Sequence, residues 1–291
     1  MENCPVCNNN ELNTIYTGKI RNGSFGKMTD SNHLVFQCTN CQVRFLGEFM
    51  DPSFYISSDY RESYNNSSSV SVYHQLHDNN DNEKICKIGL QNLRGKSIVD
   101  FGAAAGTFLD VTSSVAKRTY AVEPASFFHE SLSLKHTVYS YGADFVSSHE
   151  RADIATSFDV LEHVENPLEF LQDIYSSLNS GGTMYLMTPN YDDILNDVSK
   201  DNFQIFNYRT VHYYYFCKTS IENILKLAGF NNFKVDFHHK YDISNMLFWM
   251  KDGKPTGKNK YDFFDDDFNS FYRNYLIKNG KASHLWITAV K

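Results

Sequence analysis

The chain has no apolar run approaching a membrane span, and its first residues carry no signal-peptide core. These absences lead to the expectation of a soluble, cytoplasmic protein. Basic charge is also scarce, with 27 Lys and Arg against 34 Asp and Glu, for a net charge of −7 and a pI near 5.9. Nucleic acid is a poor main partner for such a chain, because counterion release needs clustered cations. Glycine is missing where a dinucleotide fingerprint would need it. Counted from Gly102, Gly-x-Gly-x-x-Gly wants glycine at positions 104 and 107, where Ala104 and Thr107 stand. A turn that closes with Gly106 ends too soon for a pyrophosphate.

What is present is ample for a core. A length of 291 residues holds one α/β domain and a small appendage, and 42% hydrophobic content is ordinary for a globular chain. Aromatics are plentiful, with 23 Phe and 19 Tyr, and imply large aromatic surfaces in a core or cleft. In the stretch Ile98 to Asp110, a buried strand ends at Asp100, small residues make a tight turn, and a helix opens at Thr107 and Phe108. Gly102 and Gly106, having no Cβ, let backbone N–H groups and a helix N-terminus approach a ligand. Tyr120-Ala121-Val122-Glu123-Pro124 is a second apolar strand ending in an acid, 21 residues beyond Gly102. A carboxylate at that tip can accept both protons of a ribose diol.

The run Asp-x-Gly-x-Ala-x-Gly from Asp100 to Gly106 resembles motif I of the class I S-adenosylmethionine (SAM) methyltransferases, whose usual form is Asp-x-Gly-x-Gly-x-Gly. Residues 153–164 look like that family's fourth strand and the segment after it. Residues 178–190 look like its helix end, double-glycine turn and fifth strand. Together these motifs cover roughly residues 95 to 235, in the family's order. The departure is Ala104 in place of the middle glycine, where a backbone contact is expected. The resemblance implies a Rossmann-like, seven-stranded, doubly wound α/β sheet and SAM as cofactor. It implies cofactor contacts from Tyr64, Asp100, Gly102, Ala103, Ala104, Gly106, Thr107, Phe108, Glu123, Pro124, Asp144, Phe145, Ser157 and Phe158.

Cys4-Pro5-Val6-Cys7 and Cys38-Thr39-Asn40-Cys41 form two matched Cys-x-x-Cys turns. Their spacing suits tetrahedral zinc, and short strands between them read as a zinc ribbon over residues 1–50. A redox dithiol is the rival, but no βαβ pattern flanks either pair. Residues 1–50 carry Lys19, Arg21, Lys27 and Arg44 against Glu2, Glu11, Asp30 and Glu48, a neutral balance that favours a structural role over gripping RNA.

Residues 51–95 are expected to be a linker or lid with a leading helix from Glu83 to Arg94, and residues 96–291 the methyltransferase domain. Ser, Asn and Asp dominate residues 57–82, which reads as a mobile linker in which His74 and His77 face solvent. Within it, Tyr60-Arg61-Glu62-Ser63-Tyr64 resembles a tyrosine-bearing segment that folds over the cofactor, so linker and lid both stand. Asn166, Pro167 and Glu169 start a helix that Gly181-Gly182 stop, and Thr219 or Ser220 caps another. Strands near Phe233 to Phe237 and Leu285 to Val290 would complete the sheet. Residues 241–280, with Trp249 and Met250, read as a substrate-side insertion or packed surface, and Asp265-Asp266-Asp267 as a solvated charge run.

The SAM methyl is already electrophilic, so a hydroxyl acceptor needs mainly alignment and a base. His163, after the fourth strand, and His212, within Val211 to Phe216, are the candidate bases. A divalent cation on residues similar to Asp159, Glu162 and His163 is the alternative that the resemblance to ubiquinone-type O-methyltransferases implies. A zinc module before a SAM domain is similar to methyltransferases of sugar and capsule pathways. The expected acceptor is therefore a hydroxyl of a small molecule: a sugar, a sugar nucleotide or a phosphoramidate-type capsule precursor. A C-methyltransferase of nucleotide-linked sugars, an RNA base methyltransferase with a zinc module and a non-catalytic SAM-fold module are the alternatives. No oligomeric state follows from the sequence.

Overall fold

The computed structural model describes residues 2–24, 26–57, 69–255 and 259–291, leaving out the side chain of Tyr55. Eleven strands are present among them: β1 (Leu12–Gly18), β2 (His33–Cys38), β3 (Arg44–Leu46), β4 (Ser97–Phe101), β5 (Arg118–Val122), β6 (Thr137–Tyr139), β7 (Ala152–Phe158), β8 (Leu178–Pro189), β9 (Tyr214–Tyr215), β10 (Asn232–His238) and β11 (His284–Val290). The principal helices are α1 (Val70–Ile88), α2 (Thr107–Thr112), α3 (Gly142–Ser147), α4 (Pro167–Ser177), α5 (Lys218–Leu227), α6 (Ile243–Asp252) and α7 (Asp266–Lys278). Seven strands form one sheet in the order β10-β11-β8-β7-β4-β5-β6. Its centre is parallel, with Ile98 to Asp100 paired to Ile154 to Thr156 and Ser97 to Phe101 paired to Arg118 to Val122. Gly181 N–H reaches Lys291 and Asn190 N–H reaches Ser283, so β11 runs antiparallel to β8. This is the Rossmann-like α/β architecture of class I methyltransferases, with both strands expected beyond residue 230 in place.

The chain divides into two compact units, one of residues 1–50, 187–223 and 235–286 and the other of residues 51–186, 224–234 and 287–291. In the first, β1, β2 and β3 form an antiparallel sheet that β9 extends, with Arg44 beside Tyr215 and Phe45 beside Tyr214. Residues 1–50 are thus one segment of a larger unit. Ile20, Val35, Leu46, Tyr191, Tyr208 and Tyr215 build its buried cluster, and a second cluster packs Leu195, Phe203 and Trp249. Trp249 is therefore core, its ring 5.5 Å from Phe203 and 5.2 Å from Phe206.

In the second unit, the expected linker over residues 57–82 is overturned from Val70 onward, where α1 begins. Ser69 Oγ accepts from Val72 N–H at 3.3 Å and caps it. Apolar residues are too sparse in α1 to announce a helix. A tertiary contact supports it instead, with Tyr73 packed edge-on against Phe128 at 5.5 Å, and within the helix Lys84 pairs with Asp81 at 2.7 Å. His74 is half-buried and hydrogen-bonded to Thr107 Oγ1 at 2.8 Å, not free in solvent. The double glycine does not stop α4 either. The helix ends at Ser177, and Gly181 and Gly182 lie inside β8. Asn166 does cap α4, accepting from Glu169 N–H at 3.1 Å. Neither Thr219 nor Ser220 caps α5, because that helix already starts at Lys218; Ser220 accepts the Cys217 N–H at 2.9 Å from within its first turn. The triple aspartate is a helix start, with Asp265 accepting from Phe268 N–H at 2.8 Å.

The turn between β4 and α2 sets where these elements deliver their ends. Gly102 and Gly106 both have left-handed φ, 82° and 86°. A Cβ on Gly102 would stand 2.4 Å from Val160 Cγ2, and one on Gly106 would stand 2.6 Å from Leu132 Cδ2. Glycine is needed here by the protein's own packing. Gly102→Ala should therefore destabilise the fold by roughly 2–4 kcal/mol, combining a clash with an unfavourable φ. Adding Val160→Ala should recover only the clash component, measured by urea unfolding; equal stability of Gly102→Ala and the native chain would refute this account.

Candidate functional site

At the carboxyl end of β4 and β5, four segments meet within the second unit. Gly102 N–H and Ala103 N–H bond to the Val122 carbonyl at 2.7 and 3.3 Å, and Gly106 N–H bonds to Ala103 at 2.8 Å. Glu123, at the tip of β5, is buried and accepts Ala104 N–H on Oε2 at 2.7 Å and Ala125 N–H on Oε1 at 2.8 Å. Ala104 thus makes the expected backbone contact. Its φ of 49° shows why the resemblance wants glycine there: the position is left-handed, and an alanine holds it at some strain.

Thr156, on β7, donates to Asp100 Oδ1 at 2.6 Å. Burial pushes the Asp100 carboxyl up to about 7, against the Thr156 hydrogen bond, while Asp81 and Glu123 add to the rise and Lys84 opposes it. The Phe108 and Phe158 rings lie 5.4 Å apart, with Lys84 Nζ 4.8 Å from the Phe158 centroid. Ser157 Oγ is buried with no hydrogen-bond partner among the described residues.

The donor set suits an adenosyl group. Glu123 presents two carboxylate oxygens at the tip of β5, and a carboxylate can accept from both hydroxyls of a ribose. The Ser157 hydroxyl, on β7, can donate or accept. The structure brings together Asp100, Gly102, Ala103, Ala104, Gly106, Thr107, Phe108, Glu123 and Phe158, with Pro124 half-buried next to Glu123. Asp144 and Phe145 lie in the first turn of α3. Asp144 is exposed and accepts from Tyr141 N–H at the start of α3, while Phe145 is fully buried against Tyr120 and Tyr139. Tyr64 and the rest of the tyrosine-bearing segment from Tyr60 lie outside the described residues.

After β7 the chain turns sharply. Asp159 has φ 57°, Val160 packs against Gly102, and a short 3-10 turn carries Leu161, Glu162 and His163. Glu162 and His163 are both buried, with His163 Nε2 3.9 Å from Glu162 Oε1. In the first unit, His212 is buried, its ring 6.2 Å from that of Tyr215.

Two thiol pairs face one another in that unit: Cys4 Sγ lies 3.6 Å from Cys41 Sγ, and Cys7 Sγ lies 3.5 Å from Cys38 Sγ. All four sulfurs fall within 4.8 Å of one another. Val6 N–H points at Cys4 Sγ (3.4 Å), Asn9 Nδ2 at Cys38 Sγ (3.6 Å) and Asn40 Nδ2 at Cys7 Sγ (3.6 Å). The Cys41 contact holds the Cys4 thiol well below its usual range, at about 5.

Sequence reasoning missed His239 and Asp193, also in the first unit. Ser283 N–H donates to His239 Nδ1 at 3.0 Å, and burial pushes this imidazole down to about 4. Burial likewise pushes Asp193 up to about 7. A single His or Asp among polar neighbours carries no signal that it will be buried.

Asp100 binds a proton more tightly folded than its ordinary value of 3.8 would allow. The stabilisation is full below about pH 4 and is lost as pH rises through about 7. Asp100→Asn keeps the acceptor for Thr156 and abolishes this titration. Relative to the native chain, its stability should rise by roughly 2–3 kcal/mol between pH 5 and pH 8. Urea unfolding at the two pH values checks it, and a pH-independent difference would refute it.

A family model described as a methyltransferase domain matches residues 74–235, more than half of the chain. No curated protein matches. A SAM-dependent methyltransferase from Archaeoglobus fulgidus has 16% identity and a TM-score of 0.51, covering 80% of this chain and 98% of that one. Haemonchus contortus phosphoethanolamine N-methyltransferase 2, in complex with SAM, has 15% identity and a TM-score of 0.49, covering 85% of this chain but 61% of that one. Synechocystis magnesium protoporphyrin IX methyltransferase, with bound SAH, has 12% identity and a TM-score of 0.48, covering 74% and 83%. At these identities the likeness is one of fold. The chain belongs to the methyltransferase-domain family, and it is an S-adenosylmethionine-dependent methyltransferase.

Proposed function

We propose that the methyl group goes to a hydroxyl oxygen of a small acceptor: a sugar, a sugar nucleotide or a phosphoramidate-type capsule precursor. The observation that carries the oxygen reading is the buried pair Glu162 and His163, 3.9 Å apart at the carboxyl edge of the sheet. A hydroxyl nucleophile must lose a proton as it attacks, and an imidazole can take it. Glu162 then stabilises the imidazolium that forms, and burial strengthens that attraction. Bound SAM supplies the electrophilic methyl on a sulfonium. The chain's part is to hold the ribose at Glu123, seat the cofactor on the Gly102–Gly106 turn, and move the acceptor proton to His163. His212 is the second candidate base. The small-molecule acceptor is supported by the net charge of −7, which disfavours RNA.

Replacing His163 by Ala should lower turnover at saturating SAM by about 10²–10⁴-fold. Adenosylhomocysteine affinity should stay within a few-fold, as read by calorimetry. If His163→Ala and His212→Ala each keep native turnover on an acceptor panel of sugars and nucleotide-linked sugars, no histidine base operates. Tight RNA binding that weakens steeply with salt would favour the base-methyltransferase alternative.

We also propose that Cys4, Cys7, Cys38 and Cys41 hold one structural zinc ion. Tetrahedral thiolate zinc with a metal–sulfur bond of about 2.3 Å sets sulfurs roughly 3.8 Å apart, near the 3.5 and 3.6 Å spacings here. The three N–H donors aimed at these sulfurs suit thiolates, and four sulfur ligands leave no open position for chemistry. The purified chain should carry one zinc per molecule by elemental analysis. Cys38→Ser should lose most of it and melt several degrees lower; a metal-free chain of full stability would end the zinc reading.

A further inference from the structure

The exposed face of α7 is built as a contact surface. Its inner side is anchored by Asn269, Tyr272 and Leu276, all buried. Its outer side carries aromatic rings where a solvated helix would carry charge: Phe268 is 43% exposed, Phe271 66% and Tyr275 57%, with Phe263, just before the helix, at 89%. Residues 264, 268, 271 and 275 follow the four-three-four spacing of a helix–helix seam. The rings form a continuous ladder, with centroids 5.2 Å apart from Phe264 to Phe268, 6.4 Å from Phe268 to Phe271 and 6.3 Å from Phe271 to Tyr275. Single exposed apolar residues need no explanation, but a contiguous run of large rings marks an interaction surface.

We propose that the ladder is the interface of an antiparallel, two-fold homodimer, in which α7 of one copy packs along α7 of a second. Charge along the helix selects this occupant. The N-terminal end carries Asp265, Asp266 and Asp267, and the C-terminal end carries Lys278. Antiparallel packing sets Phe268 of one copy over Tyr275 of the other, keeps Phe271 near the axis, and brings each acidic end beside Lys278 of the second copy. Parallel packing would stack acid on acid. An anionic lipid surface or a nucleic acid would meet the same three aspartates, whereas interfacial helices flank their apolar face with Lys and Arg. The arrangement is also self-complementary, as a two-fold interface requires.

The area sets the strength. With aromatic side chains of roughly 200 Å² each, the exposed rings offer about 500 Å² per copy, or about 1,000 Å² in the pair. That lies at the lower edge of specific interfaces, so a reversible, concentration-dependent dimer is expected, with a dissociation constant on the order of micromolar.

Sedimentation velocity on the full chain from about 1 to 100 μM tests this. The native chain should pass from monomer to dimer over that range. Phe271→Glu should weaken the dimer at least about tenfold, since it sets two carboxylates near the axis; unchanged circular dichroism and melting would show the fold intact, as expected for an exposed ring. Lys278→Glu should weaken association, and adding Asp266→Lys and Asp267→Lys to it should restore it, because the end charges are then exchanged. A chain that stays monomeric at 100 μM, or a dimer indifferent to Phe271→Glu, would overturn the proposal. A dimer lost with Phe271→Glu but unaffected by Lys278→Glu alone, or not rescued by the added lysines, would overturn the antiparallel arrangement.

Discussion

The buried Glu123 carboxylate is the constraint on which the cofactor end of the fold depends. Its two oxygens accept N–H groups from separate turns, Ala104 in the loop after β4 and Ala125 after β5. Hydrogen bonds to a carboxylate are stronger than neutral ones, contributing about 1.5–3 kcal/mol each, and removing the acceptor would leave both amides buried and unpaired. The loop conformation is therefore fixed by a residue 19 positions away in sequence. It also explains how Ala104 can hold a left-handed φ where glycine would sit without strain: the Ala104 N–H is committed to Glu123, and the bond offsets the backbone cost. Asp100, close enough to Glu123 to feel its charge, is the carboxyl whose proton affinity rises.

Much of this was legible in the sequence because it depends on short-range pattern. The strand expected to end at Asp100 runs one residue further, to Phe101, while the helix opening at Thr107 and the acid at the tip of β5, which rest on small residues and a short apolar run, are where they were expected. The pattern failed where distant contacts override composition. Ser, Asn and Asp make α1 look like a linker, yet Phe128 and Thr107 supply partners that no window around residue 75 contains. The register of β9 against β3 joins residues about 170 positions apart, Arg44 with Tyr215, and two tyrosines in a tyrosine-rich run do not announce a strand.

The high aromatic content finds its explanation in the first unit. Tyr191, Tyr208 and Tyr215 close a cluster with Ile20, Val35 and Leu46, and Tyr208 donates to the Tyr191 hydroxyl at 2.9 Å. Burial raises the Tyr208 phenol far above its ordinary value, so the hydroxyl stays protonated and acts as a donor. The Arg44 guanidinium lies 3.4 Å from the Tyr191 ring centroid, which gives a half-buried cation a partner without a carboxylate. A small β-sheet between two cysteine turns has little core of its own. The tyrosines from residues 191–215 supply the apolar volume that residues 1–50 lack.

The turn after β7 links packing to the proposed chemistry. Asp159, a non-glycine residue at φ 57°, carries backbone strain of order 1 kcal/mol or more, which persists only where the surroundings over-determine it. The surroundings here are the contact of Val160 with Gly102 on one side and the His163 N–H bond to the Val160 carbonyl, at 2.8 Å, on the other. Gly102 therefore does two things with one missing Cβ. It permits the left-handed bend that presents Ala103 and Ala104, and it makes room for the side chain that locks the histidine's turn. Through Val160 one packing contact joins the proposed cofactor turn to the turn that carries the proposed base.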